Sequence, residues 1–245
     1  MTKIILFLVE GATEQALYVK ILEKLNAKKI SCEKLPSNIH FLLKTLRKPY
    51  SRLLCLCRKE TILAVMDCGG YKQLEMCLRE LLRSELITNA LNEGLSTIII
   101  ASDRKHKPIE GIKGLLASII RDVKLNYREI NKGLFIVQFN KVNVKLVVIE
   151  EGLEKHKHPN ATEQIEDHLE PLAKTIYPRL WKYVKTFKLN TKQTIGIIAA
   201  LTSNYKGSPE FTAILIEKAS LNQLKQHLTK ILKTIENELP DYHSK

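Results

Sequence analysis

Three apolar segments, far apart along the chain, each run into a carboxylate. Ile4-Ile5-Leu6-Phe7-Leu8-Val9 leads to Glu10, Ile62-Leu63-Ala64-Val65-Met66 to Asp67, and Ile98-Ile99-Ile100-Ala101-Ser102 to Asp103. Acids gathered at one edge of a sheet repel one another unless a cation lies between them. Hard oxygen donors of this kind suit magnesium or manganese rather than zinc. Glu10 is followed by Gly11, and a second acid, Glu14, comes four positions after the first. Glu10 and Asp103 therefore read as ligands. Asp67 reads better as the cap of a turn, because Gly69-Gly70 follows it; that Gly-Gly pair could also form an anion-holding nest.

A second group of acids, Glu163, Glu166, Asp167 and Glu170, repeats at three- and four-residue spacing. On a helix these residues share one face, which either meets water or holds metal. The histidines carry little: His156 and His158 lie in a hydrophilic stretch without a third ligand at metal-site spacing, and His106 stands near Asp103. Trp181, Tyr183 and Phe187 interleave with Lys182, Lys185 and Lys188. Such a pattern can stack bases between phosphate contacts, or simply pack Trp181 and Val184 inward under a lysine surface. The chain has no Walker loop, no dinucleotide fingerprint and no serine nucleophile elbow.

The elements that must position these residues follow from periodicity. The apolar run ending at Glu10 predicts a strand buried on both faces, and Leu17, Ile21, Leu22 and Leu25 predict the helix after it. Further strands are expected at 61–67 and 96–103, with a strand pair at 134–139 and 142–149 turning at Asn140-Lys141. Residues 28–34 suggest a short edge strand and 53–58 are ambiguous. Helices are expected at 39–46, at 71–92 as one long element, near 109–125, and then in a run at 161–176, 179–186, 191–201, 209–218 and 221–239; 151–160 reads as a polar loop. Strands alternating with helices, followed by helices alone, predict an α/β fold: a mostly parallel sheet flanked by helices, with a helical C-terminal appendage. The division falls at 1–150 for the α/β core and 151–245 for a mainly helical region that completes the core or forms a small subdomain. Glu10 then sits at the carboxyl end of a central strand, where open α/β sheets bind ligands.

Composition bounds the partners. The 245 residues carry 39 Lys+Arg against 26 Asp+Glu, a formal net charge of +13. The excess is concentrated in residues 1–150, with 25 basic and 15 acidic side chains, against 14 and 11 in residues 151–245. A basic surface around an acidic crevice suits a polyanion held over bound metal; it also suits a surface kept soluble, or thermally robust, by lysine. Cys32, Cys55, Cys57, Cys68 and Cys77 are odd in number and irregularly spaced, which predicts free thiols rather than a zinc site. No run approaches the roughly 20 apolar residues of a membrane span. Thr2-Lys3 leads straight into a strand rather than a leader. A reduced, cytoplasmic protein is expected, with no membrane partner and self-association into a homo-oligomer left open.

Several of these motifs together resemble a known family. Val9-Glu10-Gly11-Ala12-Thr13-Glu14 is similar to the opening motif of TOPRIM domains, the magnesium-binding fold of topoisomerases, primases, recombination mediators and OLD-type nucleases, and is nearest in form to the OLD-like branch. The segments at 65–74 and 161–169, and the closing region 195–219, resemble an uncharacterised, mostly prokaryotic TOPRIM-like branch. Ile98-Ile99-Ile100-Ala101-Ser102-Asp103-Arg104 falls where the family carries Asp-x-Asp. One departure stands out: Ala101 occupies the first acid position if Asp103 is the second, and Lys105 the second if Asp103 is the first.

The resemblance implies a TOPRIM-like sheet and Mg2+- or Mn2+-dependent phosphodiester chemistry on nucleic acid, most plausibly a nuclease. Glu10 and Asp103 would be catalytic and hold the principal metal, with Glu14 and Glu166 or Asp167 supporting a second. Gly11, Gly69, Gly70, Arg104, Lys105 and Lys107 would contact phosphate or nucleic acid. The missing acid favours a rival: a catalytically degenerate module that binds nucleic acid or a protein partner. A small-molecule phosphotransfer enzyme is a third reading.

Overall fold

In a computed structural model, the described residues are 2–47, 51–83, 85–103, 111–131, 133–151, 162, 164–202 and 207–239. Eight strands form one sheet: β1 (Lys3–Val9), β2 (Lys28–Ile30), β3 (Arg52–Arg58), β4 (Thr61–Asp67), β5 (Leu95–Asp103), β6 (Asn126–Asn131), β7 (Leu134–Phe139) and β8 (Val142–Glu151). Their order is β2-β3-β4-β1-β5-β8-β7-β6. β4, β1, β5 and β8 run parallel at the centre, and antiparallel strands extend the sheet on both sides.

The sheet is therefore mixed, which corrects the expectation of a mostly parallel one. Tight hairpins are the cause. Lys59, at positive φ, lets β3 return as β4, and Asn140, also at positive φ, lets β7 return as β8. A two-residue connection can join only antiparallel neighbours. β6 is the strand that periodicity missed: all six of its residues are exposed at the sheet edge, so no buried alternation marks it.

Strand residues alternate between two cores. Ile5, Phe7, Val9, Val65, Ile99 and Ile149 face one side; Ile4, Leu6, Leu8, Met66, Ile100 and Val148 face the other. The second side is covered by α2 (Ser37–Leu46), α3 (Tyr71–Arg83), α4 (Leu86–Asn92) and α5 (Gly111–Asp122). The first is covered by α1 (Ala12–Lys24) together with the C-terminal α6 (Glu166–Ile176), α7 (Pro178–Lys185), α8 (Thr191–Thr202), α9 (Ser208–Lys218), α10 (Leu221–His227) and α11 (Thr229–Glu238). The helical C-terminal region thus shares a core with α1 and the sheet. Two expected long helices are each divided, 71–92 into α3 and α4 and 221–239 into α10 and α11.

Cys32 and Cys55 form a disulfide, so the five cysteines are not all free thiols as their spacing suggested; Cys57, Cys68 and Cys77 are not disulfide-bonded. Among the described residues, no helix is long and apolar enough to cross a membrane.

Candidate metal centre

The chain leaves β1 for α1, reaches β4 on one side of β1 and then crosses to β5 on the other. That reversal places a crevice outside the carboxyl ends of the central strands. Glu10 follows β1 directly. Its backbone N–H donates to the Ala101 carbonyl (3.1 Å) and its carbonyl accepts from the Gly70 amide (2.6 Å). Its side chain reaches across to β5, where Oε2 accepts from the Ser102 hydroxyl (2.7 Å) and the Asp103 amide (3.1 Å).

Asp103 ends β5. Its Oδ1 accepts from the Ile165 amide (2.8 Å) and its Oδ2 from the Gln164 side chain (3.2 Å). The approach to α6 is thereby tied to the end of β5. Parallel register puts Glu151, the last residue of β8, beside Asp103. Glu14 enters from the first turn of α1, on the same helix face as Tyr18.

Carboxylate oxygens of Glu14, Asp103 and Glu151 all lie within 4.8 Å of one another, and all three residues are buried. Neither Glu151 oxygen makes a hydrogen bond of ordinary geometry, and the same is true of the buried Tyr18 hydroxyl. Burial, then the charge of Asp103, and further Glu10 and Glu166 push the Glu14 carboxyl up to about 8. Glu151 is raised well above the ordinary carboxylate range, first by burial and next by Glu14, with Asp103 and Glu10 adding to it; the nearby Tyr18 hydroxyl offsets only part of this. The Tyr18 phenol is itself pushed up by burial and by Glu151. Without a cation, Glu14 and Glu151 hold protons that ordinary carboxylates would release. An all-oxygen, buried set of three close carboxylates fits a hard divalent ion such as Mg2+ or Mn2+.

The other acids take different places. Glu166 is buried at the start of α6 and close enough to raise the pKa of Glu14. Asp167 is equally buried, but its Oδ1 accepts from both the Thr162 amide and the Thr162 hydroxyl (2.9 Å each). Glu170 accepts from the Trp181 indole (3.1 Å) and pairs with Lys185 (2.7 Å). Glu166, Asp167 and Glu170 therefore do not share a single solvated or metal-holding face. Asp67 caps its turn, accepting from the Gly69 amide (2.7 Å), and burial raises its pKa. Gly69 and Gly70 both have positive φ. Their amides donate to the Asp67 side chain and the Glu10 carbonyl, respectively. Gly11 starts α1, and a side chain there would press on Glu14 Oε2 at 3.1 Å. Arg104, Lys105, His106, Lys107, Glu163, His156 and His158 lie outside the described residues.

Periodicity missed Glu151, Ser102, Gln164 and Tyr18. A signal for the first was present: 142–149 ends in Glu150-Glu151, a fourth apolar run terminating in acid. Nothing in the sequence alone marks Ser102, Gln164 or Tyr18.

Neither the known protein families nor the curated proteins include a match to this chain. Among solved structures, a hypothetical protein, PH0156 from Pyrococcus horikoshii OT3, matches with a TM-score of 0.68 and 18% identity, over 95% of this chain and 99% of that one. This likeness shows a shared fold. A second structure, ttk003000868 from Thermus thermophilus, reaches only a TM-score of 0.21 at 13% identity, over 82% of this chain and 35% of its own.

Proposed function

We propose that this chain is a Mg2+- or Mn2+-dependent enzyme acting on nucleic-acid phosphodiesters, a nuclease of TOPRIM type. The observation that carries the reading is the buried trio Glu14, Asp103 and Glu151, whose carboxylate oxygens all lie within 4.8 Å of one another. Its site lies where the fold places ligands, and the chain's net charge of +13 favours a polyanion.

Glu14, Asp103 and Glu151 would hold the cation. A cation bound there would polarise a phosphoryl oxygen and lower the pKa of an attacking water. Glu151, alongside Asp103 on the next strand, would take the place of the acid absent from the Asp-x-Asp pattern. Ala101 itself is fully buried in the core, so an acid there would face apolar neighbours rather than the crevice. Glu10, oriented by Ser102 and the Asp103 amide, would accept the proton of the water. The cluster has hard, oxygen-only donors, and the fold and charge are compatible with a cytoplasmic role on DNA or RNA.

The test combines thermal melting with cleavage of labelled nucleic acid in Mn2+. Wild type should melt higher with excess Mn2+ and cut. Glu10→Gln should keep much of the metal-induced rise and lose cleavage; Glu151→Gln should lose both. No response of the wild type to Mn2+ or Mg2+ would remove the metal from the account. A metal response with no cleavage would favour the rival, a degenerate binding module, which the Ala101 departure supports.

A further inference from the structure

We infer that the end of α7 forms a stacking platform for single-stranded nucleic acid beside the acidic crevice; this rests on the proposed reading and names its substrate class. Tyr183 and Phe187 are 59% and 55% exposed and meet edge to face at 5.4 Å between ring centroids. A buried location would be the ordinary fate of two such rings in a protein with 6% aromatic residues. Trp181, by contrast, is fixed: its indole N–H donates to Glu170, and Lys174 and Lys185 lie 4.7 and 5.8 Å from its ring centre.

Charge selects the occupant. From 171 to 202 the chain has no acidic residue and six cations, Lys174, Arg179, Lys182, Lys185, Lys188 and Lys192, of which Lys185 is paired with Glu170. Lys182 and Lys188, which flank Tyr183 and Phe187 in sequence, are exposed. Exposed aromatic faces among exposed cations suit unpaired bases, whose π-faces a duplex hides.

Placement links the platform to the site. Trp181 and Lys185 of α7 contact Glu170, and Trp181 also meets Lys174 of α6. These contacts make the two helices antiparallel, so the end of α7 returns toward the start of α6. Glu166, one turn before Glu170, is there, close enough to act on Glu14.

Fluorescence anisotropy of the full chain, without divalent metal, tests this with a labelled oligothymidylate and a labelled duplex. Wild type should bind the single strand more tightly. Tyr183→Ala with Phe187→Ala should weaken single-strand binding on the order of tenfold or more, while the Mn2+-induced melting shift stays at the wild-type value. Tyr183→Phe with Phe187→Tyr should restore binding. Lys182→Glu with Lys188→Glu should weaken it and flatten its salt dependence. Single-strand affinity unchanged in the double alanine variant, or a wild-type preference for duplex, would overturn the platform and leave the metal-dependent reading standing. So would an unchanged affinity accompanied by a shift from dimer to monomer in sedimentation, since that makes the face a contact between copies. Failure of wild type to bind either nucleic acid removes the platform and the nucleic-acid reading together.

Discussion

Three buried carboxyl groups whose oxygens lie within 4.8 Å of one another define the chemistry at the residue scale. The Glu14 carboxyl, at about 8 rather than 4.5, keeps a proton in the folded metal-free protein that the unfolded chain gives up. That contribution to stability is fully present below about pH 4.5, falls as pH rises, and is gone once pH passes about 8; Glu151 acts in the same direction. Melting temperature in chelator should therefore drop between about pH 5 and about pH 9, and the increment produced by Mn2+ should grow over the same window, because the cation replaces protons. A Mn2+ increment that shrinks with rising pH would contradict the shifted acids. Glu151→Gln, which cannot ionise, should flatten the chelator profile at alkaline pH; differential scanning fluorimetry reads both. Ser102→Ala should leave metal binding intact and slow cleavage about ten- to a hundredfold, since a hydrogen bond to a charged group is worth about 1.5–3 kcal/mol; unchanged kcat would remove Ser102 from the site. Glu10, Glu14 and Asp103 were legible in the sequence because strand ends and a glycine turn mark them. Glu151 was hidden by its polar successors, which made it read as the first residue of a loop rather than the last of a strand.

Elements position those groups through turns and caps. Gly70 at φ +120° closes the turn that ties β4 to the Glu10 carbonyl, a conformation that L residues rarely adopt. Gly70→Ala should destabilise the protein by about 1–3 kcal/mol and lower cleavage, as measured by denaturant unfolding and a rate assay; a neutral result would detach the turn from the site. The buried central strands β1, β4 and β5 were readable from unbroken apolar runs, and the β7–β8 hairpin from Asn140-Lys141. β6 was not, because an exposed edge strand shows no period. The 71–92 and 221–239 helices read as continuous because their apolar stripes nearly align across the breaks, and only backbone geometry separates them.

At the scale of the whole molecule, one sheet gathers residues from opposite ends of the sequence. Lys3 on β1 donates to the carbonyl of Glu238 (3.0 Å), and the C-terminal helices share the α1 core. Truncation before α6 should therefore expose that core and remove Glu166 at once. The Cys32–Cys55 disulfide spans 23 positions near the opposite edge. Its reduction should cost about 3 kcal/mol with the Mn2+ response preserved; loss of that response on reduction would mean that the edge and the crevice are coupled. The α/β class was legible from alternating patterns. The mixed sheet was not, because hairpin partners and crossover partners present the same buried apolar runs.

Crystals soaked in manganese and measured for anomalous scattering bear most directly on the central claim. A peak bonded to oxygens of Glu14, Asp103 and Glu151, lost in Glu151→Gln, is the predicted result. A crevice with no peak at saturating Mn2+, or an ion bound only elsewhere, would contradict the account.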